Sequence, residues 1–397
     1  MNQRSGNAEQ IVFARAVIAS ALALGMLLAG RAAGDDAAGH VWLLSTRRAP
    51  HGVCSTLSHA PIDYWRLDAQ RRWQPADGQS FLHGDDSRLP TTLFLHGNRD
   101  DFDDAVDDGW QLYRLLEQDA GGRPFRLVIW SWPADRIPGR NRRDVQVKAS
   151  YSDVDALYLA AELHRIDPQT PLCLIGYSFG ARIVSGALHV LGGGTLLGRG
   201  LPGDCPDFCP SKNGTVPLRS ALSPRASETT PLSPRASETT PLSPRGRGVG
   251  GEGAVPNAAS RRPIRAVLVA AAMDCDWLLP GHRNGLALSQ VDQMLITQNC
   301  CDRVLKWYPR MYRGRGPEAV GRVGPAWGGE IDKIELIDVT CSVGREHNWF
   351  NYLQAPGLRS RLLSYCIDPL GNGIAQHPLN LPRGMLVRVP LLYAESG

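Results

Sequence analysis

The pentapeptide Gly176-Tyr177-Ser178-Phe179-Gly180 lies between an apolar run at 171–175 and a second run, 181–188, with the character of a helix. The first run has the length and composition of a buried strand. A serine on a tight turn from a strand to a helix is exposed for reaction, and Gly176 and Gly180 let the two elements pack closely. The pattern therefore predicts a nucleophile at Ser178. The alternative is a glycine-rich turn with a solvated serine.

Composition limits the classes of function. The chain has 397 residues, of which 43% are hydrophobic, and a formal net charge of +4. This hydrophobic content is ordinary for a globular core, and the length is compatible with one large catalytic domain. The arginines are scattered along the chain, and the net charge is small, so nucleic acid is not expected as a partner.

The first 34 residues have the order of segments found in secretory signal peptides. Two arginines precede an apolar stretch at 16–30, and small residues follow at 32–34. The apolar stretch is shorter than the roughly 18 residues that clearly span a bilayer. We therefore expect an exported protein, periplasmic or secreted. The alternative is a membrane anchor formed by an uncleaved segment 1–34, and membrane contact is expected only there.

Short apolar segments alternate with helical periodicities from residue 41 onward, which predicts an α/β fold with a mostly parallel sheet covered by helices. Edge strands are expected at 41–44 and in the region 64–73. Further strands are expected at 91–95, 125–130, 171–175, 264–272, 293–297 and 333–339, and helices at 110–116, 150–164 and 181–188. The catalytic domain thus comprises residues 41–191 and 263–367.

A low-complexity segment, 192–262, separates the two parts of this domain. Residues 222–231 and 232–241 are identical decapeptides, and a third copy begins at 242. Such a polar unit cannot bury an apolar face, so we expect a disordered surface insertion, with a lid over the active site as the alternative. The tail 368–397, rich in Pro and Gly, is expected to run over the surface.

The chain has nine cysteines, and an exported protein pairs some of its cysteines as disulfides. The pairing does not follow from the sequence. Cys205 and Cys209 lack a second pair of ligands at matching spacing, so a local disulfide or two free thiols is expected there rather than a metal site. Cys173 lies in the strand before Ser178, where it is expected to be a small buried apolar residue.

Four further motifs accompany the pentapeptide: Leu95-His96-Gly97-Asn98, Trp130-Ser131-Trp132-Pro133, Asn299-x-x-Asp302-x-x-Leu305 and Arg345-Glu346-His347-Asn348. Together the motifs resemble those of the α/β-hydrolase superfamily. Within it they look like bacterial members of an uncharacterised, lipase-like group, the alpha/beta hydrolase family of unknown function numbered nine hundred. The resemblance covers about residues 90–190 and 262–356. It implies an α/β-hydrolase fold, with a mostly parallel central sheet and helices on both faces.

Two features depart from the family pattern. The repeat-bearing insertion follows the nucleophile helix, and the short segment between the last strands leaves little room for a developed cap. The preferred substrate therefore does not follow from the resemblance.

The resemblance implies a catalytic triad in the chain order serine, acid, histidine. Four histidines follow Ser178, namely His189, His282, His347 and His377, and the last three come after the low-complexity segment. His347 comes directly after the last predicted strand, where this family places its base. His282 precedes the last two strands, and His377 lies in the tail. We therefore expect His347 to be the base, and the alternative is a partly exposed histidine at the start of a helix.

The acid of the triad is expected at the carboxyl end of a parallel strand. Asp274 and Asp276 follow the first strand after the insertion, and Asp302 follows the next strand. Asp302 is preferred because a short loop joins it to its strand and a helix-like segment, 303–307, follows it. Asp274 is the alternative, and its non-catalytic role would be to cap a loop.

The resemblance also implies two backbone donors for the oxyanion that forms during acyl transfer. One is the N–H group of Phe179, the residue after the nucleophile. The other is expected from Asn98, with Gly97 or Arg99 as alternatives. His96 is expected to shape this oxyanion loop by hydrogen bonding rather than to act as a base.

These assignments predict a serine hydrolase that cleaves a carboxylic ester or lipid-like substrate through an acyl-enzyme on Ser178. No metal or organic cofactor is expected, and the expected partner is a small-molecule or lipid ester. Fold alone does not set function, so a non-catalytic exported binding protein is one alternative, and a peptidase or thioesterase is another. The complete set of catalytic groups in the family's chain order favours the enzyme.

Overall fold

The computed structural model describes residues 40–51, 62–139, 141–201, 262–311, 316–326 and 331–367. The expected signal segment 1–34 and tail 368–397 lie outside these residues. So do positions 202–261 of the expected insertion, which include Cys205 and Cys209. Across the described ranges, no helix is both long enough and apolar enough to cross a membrane.

Nine strands form within the described residues: β1 (Val41–Ser45), β2 (Asp63–Leu67), β3 (Trp73–Ala76), β4 (Thr91–Leu95), β5 (Arg126–Ser131), β6 (Leu172–Tyr177), β7 (Ile264–Val269), β8 (Gln293–Gln298) and β9 (Ile334–Asp338). They belong to one sheet in the order β3-β2-β1-β5-β4-β6-β7-β8-β9. β2 is antiparallel to both of its neighbours, and every other pair is parallel. The predicted α/β class and mostly parallel sheet are confirmed.

The described α-helices are α1 (Gly78–His83), α2 (Phe102–Ala120), α3 (Asn141–Arg165), α4 (Phe179–Leu191), α5 (Val320–Val323), α6 (Thr340–Val343), α7 (Trp349–Leu353) and α8 (Pro356–Cys366), the last three of which follow β9. α3 packs against α4, whereas α2 packs against α7 and α8. The crossover through α2 runs from β4 to β5, toward the β3 edge of the sheet. The crossovers through α3 and α4 run from β5 to β6 and from β6 to β7, toward the β9 edge. Right-handed crossovers therefore place α2 and the α3–α4 pair on opposite faces.

The prediction of an edge strand at 41–44 is wrong. β1 pairs with β2 on one side and with β5 on the other, and all five of its residues are buried. The continuous apolar run is what a strand covered on both faces requires. The region 64–73 forms two strands rather than one, and the edges of the sheet are β3 and β9.

The sheet has a switch point between β4 and β6. The chain continues from β4 to β5 on one side, and it then returns to place β6 on the other side. Crevices at the carboxyl ends of strands form at such points because the following loops diverge. The pairing of Leu95 with Gly176 brings the ends of the two strands level. The loops that carry Asn98 and Ser178 therefore begin side by side.

A buried arginine supports the helix that follows Ser178. The guanidinium of Arg182 packs against the rings of Phe179 and Trp277, at 5.2 Å and 4.5 Å from their centroids. Its Nε donates to Ser152 Oγ at 3.1 Å, and Asp153 lies 3.8 Å from the guanidinium. A buried charge is tolerated only when it is paired and hydrogen-bonded. These contacts tie α4 to α3.

Candidate active site

Ser178 occupies a sharp turn between β6 and α4. Its backbone has φ 53° and ψ −111°, a conformation that an L-residue adopts only where the surroundings impose it. The Ser178 N–H donates to the carbonyl of Val269 at 2.9 Å, and the Ser178 carbonyl accepts from Ala272 N–H at 3.2 Å. A Cβ at Gly180 would overlap the carbonyl oxygen of Leu95, so a glycine is needed there for close packing.

His347 joins Ser178 to Asp302. The Nε2 atom of His347 lies 3.0 Å from Ser178 Oγ, and its Nδ1 atom lies 2.7 Å from Asp302 Oδ2. A carboxylate can only accept hydrogen bonds, so Nδ1 carries a proton and its N–H group donates a hydrogen bond to Asp302. In the neutral ring Nε2 is then free to accept the Ser178 hydroxyl proton. The structure thus brings the three predicted triad residues into one hydrogen-bonded chain.

Asp302 is buried and held by several donors. Its Oδ1 accepts from the backbone N–H groups of Val304 and Leu305, at 2.8 Å and 2.9 Å. Burial by itself would raise the pKa of Asp302, but the hydrogen bonds and charge of His347 and the donors from Leu305 and Tyr352 together hold this pKa below its usual range. The carboxylate therefore stays ionised and in a fixed orientation beside His347.

Tyr352 and Asn299 complete the support of Asp302, a role that the sequence did not indicate for either residue. Tyr352 donates its hydroxyl to Asp302 Oδ2 at 2.7 Å. Asn299 Nδ2 donates to the Tyr352 oxygen at 3.1 Å and to the carbonyl of Gly344 at 2.9 Å. Burial raises the pKa of Tyr352, so its phenol stays protonated and remains a donor. Asn299 belonged to a quoted motif, but a tyrosine in a short apolar helix resembles an ordinary core residue.

Tyr177, the residue before Ser178, holds the backbone of the histidine loop. Its hydroxyl donates to the carbonyl of His347 at 2.9 Å, and the centroids of the two rings are 5.5 Å apart. Burial raises the pKa of Tyr177, so this donor also stays protonated. The signal for this residue was its place in the pentapeptide.

Asp274, the alternative acid, lies elsewhere in the site. Asp274 is buried, and its Oδ1 accepts the hydroxyl of Tyr308 at 2.6 Å. Both ring nitrogens of His347 are already engaged by Ser178 and Asp302. The geometry favours Asp302 over Asp274 as the partner of His347. Two other described histidines follow Ser178. His189, in α4, accepts from the backbone N–H of Leu286 at 3.2 Å, and His282 lies 3.3 Å from Asp276 on a partly exposed surface.

The loop after β4 presents one free backbone donor among the three candidates. The N–H of Gly97 donates to Asp100 Oδ2 at 2.8 Å, and the N–H of Arg99 donates to Ala134 at 2.9 Å. Among the residues that the structure describes, the N–H groups of Asn98 and Phe179 have no acceptor. These two amides are therefore the ones available to a ligand beside Ser178.

His96 is buried beneath this loop. Its Nε2 accepts from the backbone N–H of Trp132 at 3.1 Å, and its Nδ1 lies 3.0 Å from the carbonyl of Gly97. The indole of Trp132 donates back to the carbonyl of His96 at 3.0 Å and stacks on its ring. Both ring nitrogens of His96 are used in shaping the loop, which is the role expected for this residue.

A cavity of about 420 Å³ opens beside Ser178 and His347. The rest of its described lining combines apolar residues with three arginines, two asparagines and a tyrosine: Asn98, Arg99, Asn141, Arg142, Val145, Phe179, Ala272, Val304, Leu305, Trp307, Tyr308, Arg310 and Met311. In the described ranges no group of three or more His, Cys, Asp or Glu side chains is arranged to hold a metal ion. The fold and site define an α/β protein with a Ser-His-Asp arrangement at its switch point.

No family model matches the chain, and no curated protein matches it. Among solved structures, the chain is similar to the catalytic core domain of acetyl xylan esterase from Trichoderma reesei, with 13% sequence identity and a TM-score of 0.32. The similarity covers 71% of this chain and 100% of that one. At this level the likeness does not identify a family, and the α/β class rests on the sheet itself.

Proposed function

We propose that the chain is a serine hydrolase that cleaves a carboxylic ester through an acyl-enzyme on Ser178. One observation carries the proposal, namely the hydrogen-bonded chain from Ser178 Oγ through the two ring nitrogens of His347 to Asp302. A serine hydroxyl is a weak nucleophile near neutral pH, and it needs both a base and a group that orients the base. A solvated serine on a glycine-rich turn would need neither partner.

In the proposed reaction Ser178 Oγ attacks the ester carbonyl while His347 Nε2 takes the hydroxyl proton. The ionised Asp302 stabilises the imidazolium that forms and keeps its ring in position. His347 then gives the proton to the leaving alkoxide, and the C–O bond of the ester breaks. Water, deprotonated by the same nitrogen, attacks the acyl-enzyme, which releases the carboxylic acid and returns the proton to Ser178.

The oxyanion of each tetrahedral intermediate would accept hydrogen bonds from the N–H groups of Phe179 and Asn98. Both amides have no acceptor within the described part of the chain. Asn98 lies in the loop after β4, and Phe179 is the first residue of α4, after the neighbouring strand β6. In well-studied hydrolases one such donor contributes about 3 kcal/mol to the transition state. This geometry supports acyl transfer rather than simple binding.

An ester or lipid-like substrate fits the cavity better than a peptide in our proposal because much of its lining is apolar. Val145, Ala272, Leu305 and Met311 offer no hydrogen-bond partners for a peptide backbone. The proposed chemistry needs neither a metal nor an organic cofactor.

We also propose that residues 1–34 direct export of the protein or anchor it in a membrane. We further propose that the chain belongs to the lipase-like group named above.

The test is fluorophosphonate labelling of the purified full-length protein, with peptide mapping of the adduct. We expect the label on Ser178 and its loss in Ser178→Ala. The control is Ser360→Ala, which removes an exposed hydroxyl from α8 and should leave labelling unchanged. A folded protein that takes no label would overturn the hydrolase proposal in favour of a binding protein. If Ser178 takes the label, matched oxygen ester, thioester and amide substrates would separate esterase, thioesterase and peptidase activities.

A further inference from the structure

The cavity beside Ser178 has an uneven charge. Three arginines line it, namely Arg99, Arg142 and Arg310, and none of its described lining residues is an aspartate or glutamate. A concave site lined by one sign of charge concentrates ligands of the opposite sign. The chain as a whole has a formal net charge of only +4, so the arrangement is local and does not follow from overall composition.

Arg99 has a partner within the protein. Its Nε donates to Asp144 Oδ2 at 3.0 Å, and its Nη2 donates to Asn141 Oδ1 at 3.0 Å. Asp144 is buried, and its other oxygen accepts from the N–H of Ile137 at 3.0 Å. This ion pair fixes the loop after β4, and the charge of Arg99 is largely balanced.

Arg142 and Arg310 differ from Arg99. In the described part of the chain no carboxylate lies within ion-pair distance of either side chain. Arg142 is exposed in the first turn of α3 and lines the cavity. Arg310 also lines the cavity, and its guanidinium lies over the ring of Trp307, 3.8 Å from the ring centroid. Stacking on an aromatic ring holds an arginine in place and leaves its N–H edge available to an anion.

The cavity lining also includes exposed apolar side chains, and one of them, Trp307, carries the stacked Arg310. Val304 and Trp307 are 54% and 57% exposed, although both are large apolar residues. Both line the cavity that contains Ser178. An apolar chain bound at Ser178 could cover Val304 and Trp307, and its far end would then meet Arg310 or Arg142.

We propose that the substrate ester carries an anionic oxygen group, a carboxylate or a phosphate, separated from the scissile carbonyl by a short apolar spacer. The spacer packs on Val304 and Trp307, and Arg142 and Arg310 bind the anion. This inference rests on the proposed hydrolase function and adds the charge of the substrate. The reaction is unchanged: water is consumed, the acyl C–O bond breaks, and an acid and an alcohol are released.

The first test compares two esters of equal chain length on the full-length protein. They are 4-nitrophenyl hexanoate, which is neutral, and mono-4-nitrophenyl adipate, which ends in a carboxylate. We expect kcat/KM to be about two- to fivefold higher for the adipate ester, which is the effect of an exposed charge pair. The preference should fall in about 0.5 M salt, where the Debye length is only a few ångströms.

The variants are Arg142→Glu and Arg310→Glu, singly and together. Each should lower the ratio of kcat/KM for adipate over hexanoate, and the double variant should invert it. The control is Arg114→Glu, which makes the same charge change at an exposed position of α2 outside the cavity lining. This control should leave the ratio unchanged.

A second pair of substrates tests phosphate as the source of the anion. 4-Nitrophenyl 6-(phosphonooxy)hexanoate is compared with 4-nitrophenyl 6-hydroxyhexanoate, a neutral ester with the same apolar spacer. A preference for the anionic member of either pair, lost in the two arginine variants, supports the proposal and identifies the group. Fluorophosphonate labelling of Ser178 with no anionic preference in either pair overturns this inference alone. Failure of a folded protein to label overturns the hydrolase function, and the substrate inference falls with it.

Discussion

Tyr352 and His347 share one oxygen of Asp302, since the tyrosine hydroxyl and the histidine Nδ1 each lie 2.7 Å from Oδ2. The two donors therefore compete for the same negative charge. Asn299 holds the tyrosine in this position through its side-chain amide. Tyr352 is a positioning residue in the proposed mechanism, because it acts on the base only through the carboxylate.

Replacing Tyr352 with Phe should lower kcat severalfold for 4-nitrophenyl hexanoate and leave KM little changed. Without this donor the Asp302 carboxylate is held less firmly, so it orients His347 less well. Tyr365→Phe is the control, because it removes another buried hydroxyl, one that donates to Glu335 at 3.1 Å. An unchanged kcat in a folded Tyr352 variant would refute the role.

Exchange of Asp302 for Asn should reduce kcat about 10⁴-fold, because an amide can stabilise the wrong tautomer of the histidine. Asp274→Asn should retain most activity if Asp302 is the acid, although loss of charge beside Tyr308 will cost stability. Steady-state kinetics and thermal melts of both variants separate the two aspartates. The assignment fails if the Asp274 variant loses activity to the same extent as the Asp302 variant.

Asp302 should also influence acid stability. Its pKa in the folded state lies below the ordinary value, so its ionised form stabilises the fold at neutral pH. This contribution is present above the unfolded pKa, about 3.9, and is lost as the pH falls through the folded value. Below pH 4 the wild-type protein should therefore lose stability more steeply than Asp302→Asn. Urea unfolding between pH 2.5 and 6, at about half-unit steps, would measure the difference.

Asp108 should destabilise the protein at alkaline pH. Burial, followed by the charges of Asp100, Asp104 and Asp107, raises its pKa to about 8. The unfolded chain loses this proton near pH 4, so stability falls as the pH rises from about 4 to 8. Asp108→Asn should then raise the free energy of unfolding by at least about 1 kcal/mol at pH 9, and by little at pH 4.

The control for Asp108 is Asp107→Asn, which removes the same charge from an exposed neighbour in α2. This substitution should change stability by less than about 0.5 kcal/mol. Equal effects of the two substitutions at pH 9 would mean that general repulsion in the acidic helix, rather than burial of Asp108, is responsible.

Gly180→Ala should abolish the turn that presents Ser178. The added Cβ would overlap backbone atoms of Leu95 and His96, which cannot move without displacing β4. We expect a loss of at least about 2 kcal/mol of stability together with loss of fluorophosphonate labelling. Gly200→Ala is the matched control, because the nearest atom to its Cβ would be 3.6 Å away, at the carbonyl of Gly194. A stable, labelled Gly180 variant would contradict the proposed packing.

Local sequence patterns were sufficient to predict the α/β class and most strands. A strand buried on both faces must be apolar throughout, so β4, β6 and β7 were recognisable from short runs. Ser178 was recognisable because a tight strand-to-helix turn needs glycines at fixed positions. The choice of His347 and Asp302 used their order after the predicted strands, and the geometry of the site agrees with it.

The interior position of β1, the support of Asp302 and the reason that Asn98 rather than Gly97 or Arg99 has the free amide came only from the tertiary structure. β1 gains β5 as a neighbour from a segment more than 80 residues later, and no local pattern encodes which strands will meet. Asn98 is the free donor of its loop only because Asp100 and Ala134 engage the amides on either side. Tyr352 reaches Asp302 across 50 residues. Periodicity and turn chemistry act over a few residues, whereas such contacts depend on how the whole sheet is assembled.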